Sequence, residues 1–129
     1  MQRSVISSPS APRAIGPDSQ AVQCRAMLYV SGQLPLNPET MTLAKGFEAQ
    51  AEQVFHNLSA VLAKAGMDSR EVAKLTISLA NLDRFAMLNI IMERYFVASY
   101  PARAAIETSR LPKSALIEID VVAVETANA

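Results

Sequence analysis

At 129 residues the chain is long enough to bury roughly two-thirds of its unfolded surface, and no linker or internal repeat marks a second core, so one domain over residues 1–129 is expected. Its 12 Lys and Arg balance 12 Asp and Glu, which leaves no net field to draw in a phosphate backbone or an anionic membrane. One cysteine and one histidine exclude an intramolecular disulfide and a histidine-rich metal centre, and they fit a reducing, cytoplasmic setting.

The first residues lack the apolar core of a signal peptide, and no run reaches the roughly 18 apolar residues of a spanning helix. Half the residues are hydrophobic and only 19% are charged, leaving spare nonpolar surface that subunits of a homo-oligomer would hide.

In chain order, "SVIS" at residues 4–7 reads as a short strand before the proline-rich "SPSAPRAIGP". Residues 20–25 and 27–31 are rich enough in Val, Tyr and Leu for two strands, joined at Arg25-Ala26. "LPLNPETMTLAKG" carries the prolines, asparagine and glycine of a loop. In "FEAQAEQVFHNLSAVLAKAG", Phe47, Ala51, Val54, Leu58, Val61, Leu62 and Ala65 recur at helical spacing, and Gly66 stands where a left-handed cap ends the helix.

"EVAKLTISLAN" alternates Val72, Lys74, Thr76, Ser78 against Ala73, Leu75, Ile77, Leu79, the pattern of a half-buried strand. Asp83 is a candidate cap for a helix through "RFAMLNIIMERYFVASY", whose apolar stripe is Phe85, Leu88, Ile91, Met92, Tyr95 and Phe96. Pro101 ends that helix and opens "PARAAIETSRLPKSALIEID", read as a hairpin turning near Leu111-Pro112. About six strands and two amphipathic helices give an α+β layer, with both helices on one face of a mixed sheet and the other face left to solvent or to other subunits.

In that hairpin Arg103, Ala105 and Glu107 share one face, and Leu116, Glu118 and Asp120 share one face of the next strand. With the turn at Leu111-Pro112 the two faces coincide and place Arg103 beside two carboxylates. Two readings follow: an exposed charge pair of small energetic worth, or a guanidinium fork on a rigid strand that clamps a small organic acid, with Glu118 orienting a water. His56 has no Ser or Cys partner nearby and reads as a surface or packing residue; Cys24 reads as a small, partly buried hydrophobe. The four glycines stand apart, so no phosphate loop and no nucleotide cofactor are indicated.

"IGPDSQAV", "LYVSGQLPLNPET", "QVFHNLSAVLAKAG" and "YPARAAIETSRLPKSALIEIDVVAVE" together resemble, in order and spacing, the RidA/YjgF family of reactive-intermediate (enamine and imine) deaminases, from about residue 4 to 125. The resemblance implies a chorismate-mutase-like subunit and a homotrimer with ligand clefts between subunits. It implies hydrolysis of 2-iminopropanoate- or 2-iminobutanoate-type compounds without a metal or cofactor. Arg103 then matches the arginine that grips the substrate carboxylate and Glu118 the glutamate that positions water. Gly32 matches a glycine at the cleft and Asn89 an asparagine that helps build it, although Asn89 also reads as a polar residue on the outer side of its helix.

Two positions depart from the family pattern. Ala105 stands where many members have cysteine, at a position that acts largely through its backbone. Asp18 stands where an aromatic residue usually covers the ligand; it reads either as an ordinary turn residue after Pro17 or as a carboxylate facing the cleft, where it opposes anions or pairs with Arg103. Alternatives for the whole chain are a deaminase of a larger enamine acid and a non-enzymatic trimeric ligand-binding or chaperone-like protein.

Overall fold

The computed structural model describes residues 2–126, in which one six-stranded sheet carries two helices on a single face. The strands are β1 (Ser4–Ile6), β2 (Ala21–Cys24), β3 (Met27–Gln33), β4 (Val72–Leu79), β5 (Ala102–Glu107) and β6 (Ile117–Val124); the helices are α1 (Phe47–Lys64) and α2 (Phe85–Met92). Strand order across the sheet is β1-β2-β3-β6-β4-β5, antiparallel throughout except for the parallel pair β4 and β5.

The alternation read from the sequence forms the sheet. One row of paired residues crosses all six strands on the helix side: Ile6, Ala21, Val30, Val121, Leu75 and Arg103. The neighbouring row, Val5, Val22, Tyr29, Val122, Lys74 and Ala102, faces the other way. Leu75, Ile77, Leu79, Ile117 and Ile119 are fully buried under the helices. On the uncovered side Val5 (61%), Tyr29 (49%) and Ile106 (53%) remain exposed beside the polar Lys74, Thr76, Ser78, Glu118 and Asp120, so that face is mixed and carries large apolar side chains without a covering layer.

α1 forms over the segment expected for it, burying Phe47, Ala51, Val54, Leu58, Val61 and Leu62 on one stripe. Gly66, at φ +75, lies in the left-handed region that its place beyond the helix end demands. Two polar residues on the same helix fasten loops. The Asn57 amide donates to the carbonyls of Leu34 and Leu36, both at 3.0 Å, and Gln50 bonds Ala44 on one side and the Leu116 amide on the other.

Several local expectations are corrected. Ala73 does not share the buried face of β4: it is an extra residue of β4 against β6 between Val72 and Lys74, so Val72 is buried and Ala73 and Lys74 are both exposed. Asn81, not Asp83, accepts the capping hydrogen bond, from the Asp83 amide at 2.9 Å. α2 ends at Met92 rather than running towards Pro101, yet Tyr95 and Phe96 still pack on the core, with the Tyr95 ring stacked on Phe55 at 4.8 Å.

The largest correction concerns the C-terminal third. β5 and β6 are not a hairpin. β5 follows β4 through α2 as a parallel crossover and forms the sheet edge, while β6 inserts between β3 and β4. The connection through residues 108–116 contains a single helical turn at Pro112–Ser114, with Lys113 and Ser114 both at φ +58. Because β4 stands between them, Arg103 and Glu118 are separated by a whole strand and do not sit side by side.

Candidate functional site

Arg103 lies on the edge strand and projects to the helix side, since it pairs with Leu75, whose side chain is buried there. Three residues of α2 receive its guanidinium. Nη1 donates to Asn89 Oδ1 at 2.6 Å and to the Met92 sulfur at 3.4 Å, and the guanidinium carbon sits 4.9 Å from the centre of the Phe85 ring. Phe85, Asn89 and Met92 are four and three residues apart, so one helix face supplies an aromatic platform, an acceptor and a sulfur.

With Nη1 engaged, the Nε–Nη2 edge of Arg103 has no acceptor among the described residues, and that edge is the fork that matches a carboxylate. Arg103 also lines a cleft of about 410 Å³ together with Asn89, Met92, Glu93, Tyr100 and Pro101. Asn89 therefore belongs to this cleft and not to the outer side of its helix. Phe85 and Met92 were legible only as members of an apolar stripe; their spacing from Asn89 on one helical face is the signal that ties them to the arginine.

Glu118 lies on the opposite, uncovered face, opposite Ser78 on β4, with Asp120 two residues on, opposite Thr76. The expected grouping of Glu118 with Asp120 is present; the expected grouping of both with Arg103 is not. Burial pushes the Glu118 carboxyl above the ordinary glutamate value, and the charge of Asp120 adds to the rise. Asp120 is also raised by burial, against the opposing pull of the Thr76 hydroxyl and the Lys74 ammonium.

Gly32 explains how Glu118 is held. β3 shifts register against β6 between Val30 and Gln33, and Ser31 anchors this irregular stretch through its amide to the Gln20 carbonyl and its hydroxyl to the Ser19 carbonyl. A Cβ built on Gly32 would come within 2.8 Å of the Glu118 carboxyl, so the absence of a side chain gives that carboxylate its place across β3.

Asp18 is exposed and lines a shallow depression with Arg13, Ser31 and Gly32, on the Glu118 side of the protein. Its amide donates to the Gly16 carbonyl at 2.8 Å, as expected of a turn residue. Within one subunit it makes no ion pair with Arg103. Gln20 holds the preceding segment through its side chain, accepting from the Ser8 amide and donating to the carbonyls of Ser8, Ala11 and Pro12. Ala105 is partly buried against the core, on an edge strand whose outward backbone groups are unpaired by the sheet.

Two separate groupings thus occupy opposite faces of the sheet with β4 between them: Arg103 at a largely apolar cleft, and the Glu118 carboxyl, raised by burial, beside Gly32. The architecture is the chorismate-mutase-like α+β subunit.

A family model described as Endoribonuclease L-PSP matches residues 8–125. The chain is 49% identical over 127 residues to protein DfrA of Myxococcus xanthus, covering 96% of this chain and 97% of DfrA. It is 43% identical over 124 residues to the 2-iminobutanoate/2-iminopropanoate deaminase of Mus musculus, covering 95% and 92% of the two chains. Among solved structures, RidA from the Antarctic bacterium Psychrobacter sp. PAMC 21119 superposes with a TM-score of 0.92 at 43% identity, over 94% of this chain and 98% of its own. The protein belongs to the RidA/YjgF family, which includes imine deaminases.

Proposed function

We propose that the protein hydrolyses 2-imino acids, the tautomers of enamines released by amino-acid dehydratases, to 2-oxo acids and ammonia. The observation that carries this reading is Arg103 on the wall of a largely apolar cleft, held by Asn89 and Phe85 with its Nε–Nη2 edge without an acceptor among the described residues. A carboxylate seated on that edge makes two charge-assisted hydrogen bonds and leaves the imine carbon beyond it. The imine carbon is already electrophilic, so positioning water matters more than generating a strong base. Water adds its oxygen to that carbon, the nitrogen takes up the protons, and collapse of the adduct expels ammonia and forms the carbonyl.

Glu118 is the group proposed to hold the water, and the sheet separates it from Arg103 within one subunit. The reading therefore requires a cyclic homotrimer in which the uncovered sheet faces pack together and each cleft joins Arg103 of one subunit to Glu118 of the next. The exposed Val5, Tyr29 and Ile106 support that packing. Gly32 and Asp18 approach the cleft with Glu118; Asn89 and the Ala105 backbone approach it with Arg103.

The direct test couples the protein to a threonine dehydratase and follows ammonia. Faster release than the spontaneous rate is expected; a rate equal to the spontaneous one would sink the proposal. Two variants refine it. Gly32→Ala drives a methyl group into the Glu118 carboxyl and should reduce kcat by about tenfold or more, as expected when a positioned group is displaced by an ångström. Phe85→Leu removes the guanidinium platform and should raise KM by about threefold to tenfold, the range of an exposed to partly desolvated cation–π contact, while Phe85→Tyr restores it. Steady-state kinetics on 2-iminobutanoate distinguishes the two effects.

A further inference from the structure

α2 is apolar all the way round: seven of the eight residues of "FAMLNIIM" are hydrophobic. A helix of that kind is normally covered on every side. Two of its sides have their partners. Leu88, Ile91 and Met92 are buried in the core, and Phe85, Asn89 and Met92 hold Arg103. The third side carries Met87, 37% exposed, and Ile90, 53% exposed, with Ala86 exposed beside them. Ile90 lies about 100° round the helix from Asn89 and Met87 about 160°, so this side turns away from the Arg103 cleft. It also belongs to the helix layer, across the sheet from the face through which the proposed trimer packs.

The helical path runs past both ends of α2, and each end places one charge on the same stripe. A single turn at Leu82–Arg84 leads into the helix, and the amides of Glu93 and Arg94 still bond back to the carbonyls of Asn89 and Ile91, at 3.1 and 3.0 Å. Asp83, Met87, Ile90 and Arg94 are therefore spaced four, three and four residues apart along it, the repeat of a two-helix seam. Asp83 is exposed and in no ion pair among the described residues. Arg94 meets Glu48 and Glu52 through Nη1 alone, so its other donors are without an acceptor among the described residues.

These two charges select the occupant. A second α2 running parallel sets Asp83 on Asp83 and Arg94 on Arg94. Running antiparallel about a two-fold axis, it sets Met87 on Ile90 twice in the middle and Asp83 on Arg94 at both ends. The stripe is complementary to itself in that direction only. Arg84, also in no ion pair among the described residues, brings a further cation to the Asp83 end and offsets the Glu48 and Glu52 carboxylates that flank Arg94 in the other copy. We propose that the outer face of α2 is a homotypic docking surface, on which a second copy of this chain packs its own α2 antiparallel and so joins one sheet-packed assembly to another. A seam one short helix long falls below the roughly 1,200 Å² of a stable interface, so the contact is reversible and depends on concentration. It is independent of the deaminase reading.

Sedimentation velocity over a concentration series tests the surface. As concentration rises, the unmodified protein is expected to form a species of at least about twice the mass of the Ile90→Asp protein, in which two carboxylates stand in the middle of the seam and the mass stays constant. Asp83→Arg, which sets Arg94 against a second arginine at both ends, should stay at that lower mass too. Both positions are exposed, so circular dichroism and the thermal midpoint should match those of the unmodified protein. Disulfide cross-linking in a Cys24→Ser background reads the direction: Met87→Cys mixed with Ile90→Cys should give a covalent dimer faster than either variant alone. An unmodified protein that never exceeds the mass of Ile90→Asp overturns the surface, as does a rise in mass that both variants share. Cross-linking of either cysteine variant alone as fast as the mixture overturns the antiparallel pairing.

Discussion

Replacing Arg103 by alanine is expected to lower kcat/KM for 2-imino acids by a factor of about 10³, the loss that follows from deleting one partner of a hydrogen-bonded charge pair. The guanidinium supplies both the charge and the fork, and its Nη1 is already spent on Asn89 and Met92, so the Nε–Nη2 edge is the one left for a carboxylate. Arg103→Lys should recover only part of the activity. An ammonium keeps the charge but has no planar fork and stacks less well on Phe85. Because Arg103 is exposed on an edge strand, the folded state should survive both changes, which far-ultraviolet circular dichroism and the thermal midpoint can verify. Kinetics then report the site and not the fold.

Glu118→Gln is the second large effect expected, a loss in kcat of about 10² to 10³, within the usual range for a group that guides a proton or a water. Its pH behaviour has a definite sign. Burial first, and Asp120 second, raise the folded-state pKa above the ordinary 4.5. The ionised form is the one that holds water, so activity should fall with acidification at a pH above that of an ordinary glutamate. Stability should run the other way. Between the ordinary and the raised value the folded protein binds more proton than the unfolded chain, so this contribution is present at low pH and is lost as pH rises through the folded-state pKa. Urea midpoints across that range should decline less steeply with pH for Glu118→Gln than for the unmodified protein. Asp120→Asn removes the second cause of the rise and should move the acid limb of the activity profile downward.

Much of this was readable from the chain. Periodicity located α1 and the core strands because Phe47, Val54 and Val61 or Leu75, Ile77 and Leu79 have a covered face to fill. Gly66 announced the end of α1, and the uncovered sheet face followed from having two helices and about six strands. What failed was pairing. β5 and β6 look like a hairpin because both alternate and a proline lies between them. The difference lies in burial: β6 hides Ile117, Ile119, Val121 and Ala123, as a central strand does, whereas every residue of β5 except Ala105 is exposed, as on an edge. A strand that follows a strand and a helix is also the ordinary setting for a parallel crossover.

That one error in topology governed the reading of the site. A hairpin puts Arg103 and Glu118 together in one subunit; the crossover puts them on opposite faces with β4 between them. The resemblance to the family names Arg103 and Glu118 and implies a cleft shared between subunits, but no pattern within residues 101–120 reveals which face each one takes. Glu93 and Tyr100 were not legible as lining of the Arg103 cleft for a related reason: they fall in the stretch expected to continue α2, which instead ends at Met92. Asp18 was read as either a turn residue or a cleft residue. It is a turn residue in the subunit, on the Glu118 side, where both descriptions hold if subunits meet there.

Completion of each active cleft across a subunit boundary can be measured by complementation between two inactive variants. Arg103→Ala and Glu118→Ala subunits, each inactive alone, are unfolded together in equal amounts and refolded. In a cyclic trimer every mixed assembly contains one interface with both native residues, so random mixing should restore about a quarter of the sites of the unmodified protein, and 2-imino acid hydrolysis should return to about that fraction. No recovery, from trimers shown by mass spectrometry to be mixed, would contradict the shared cleft.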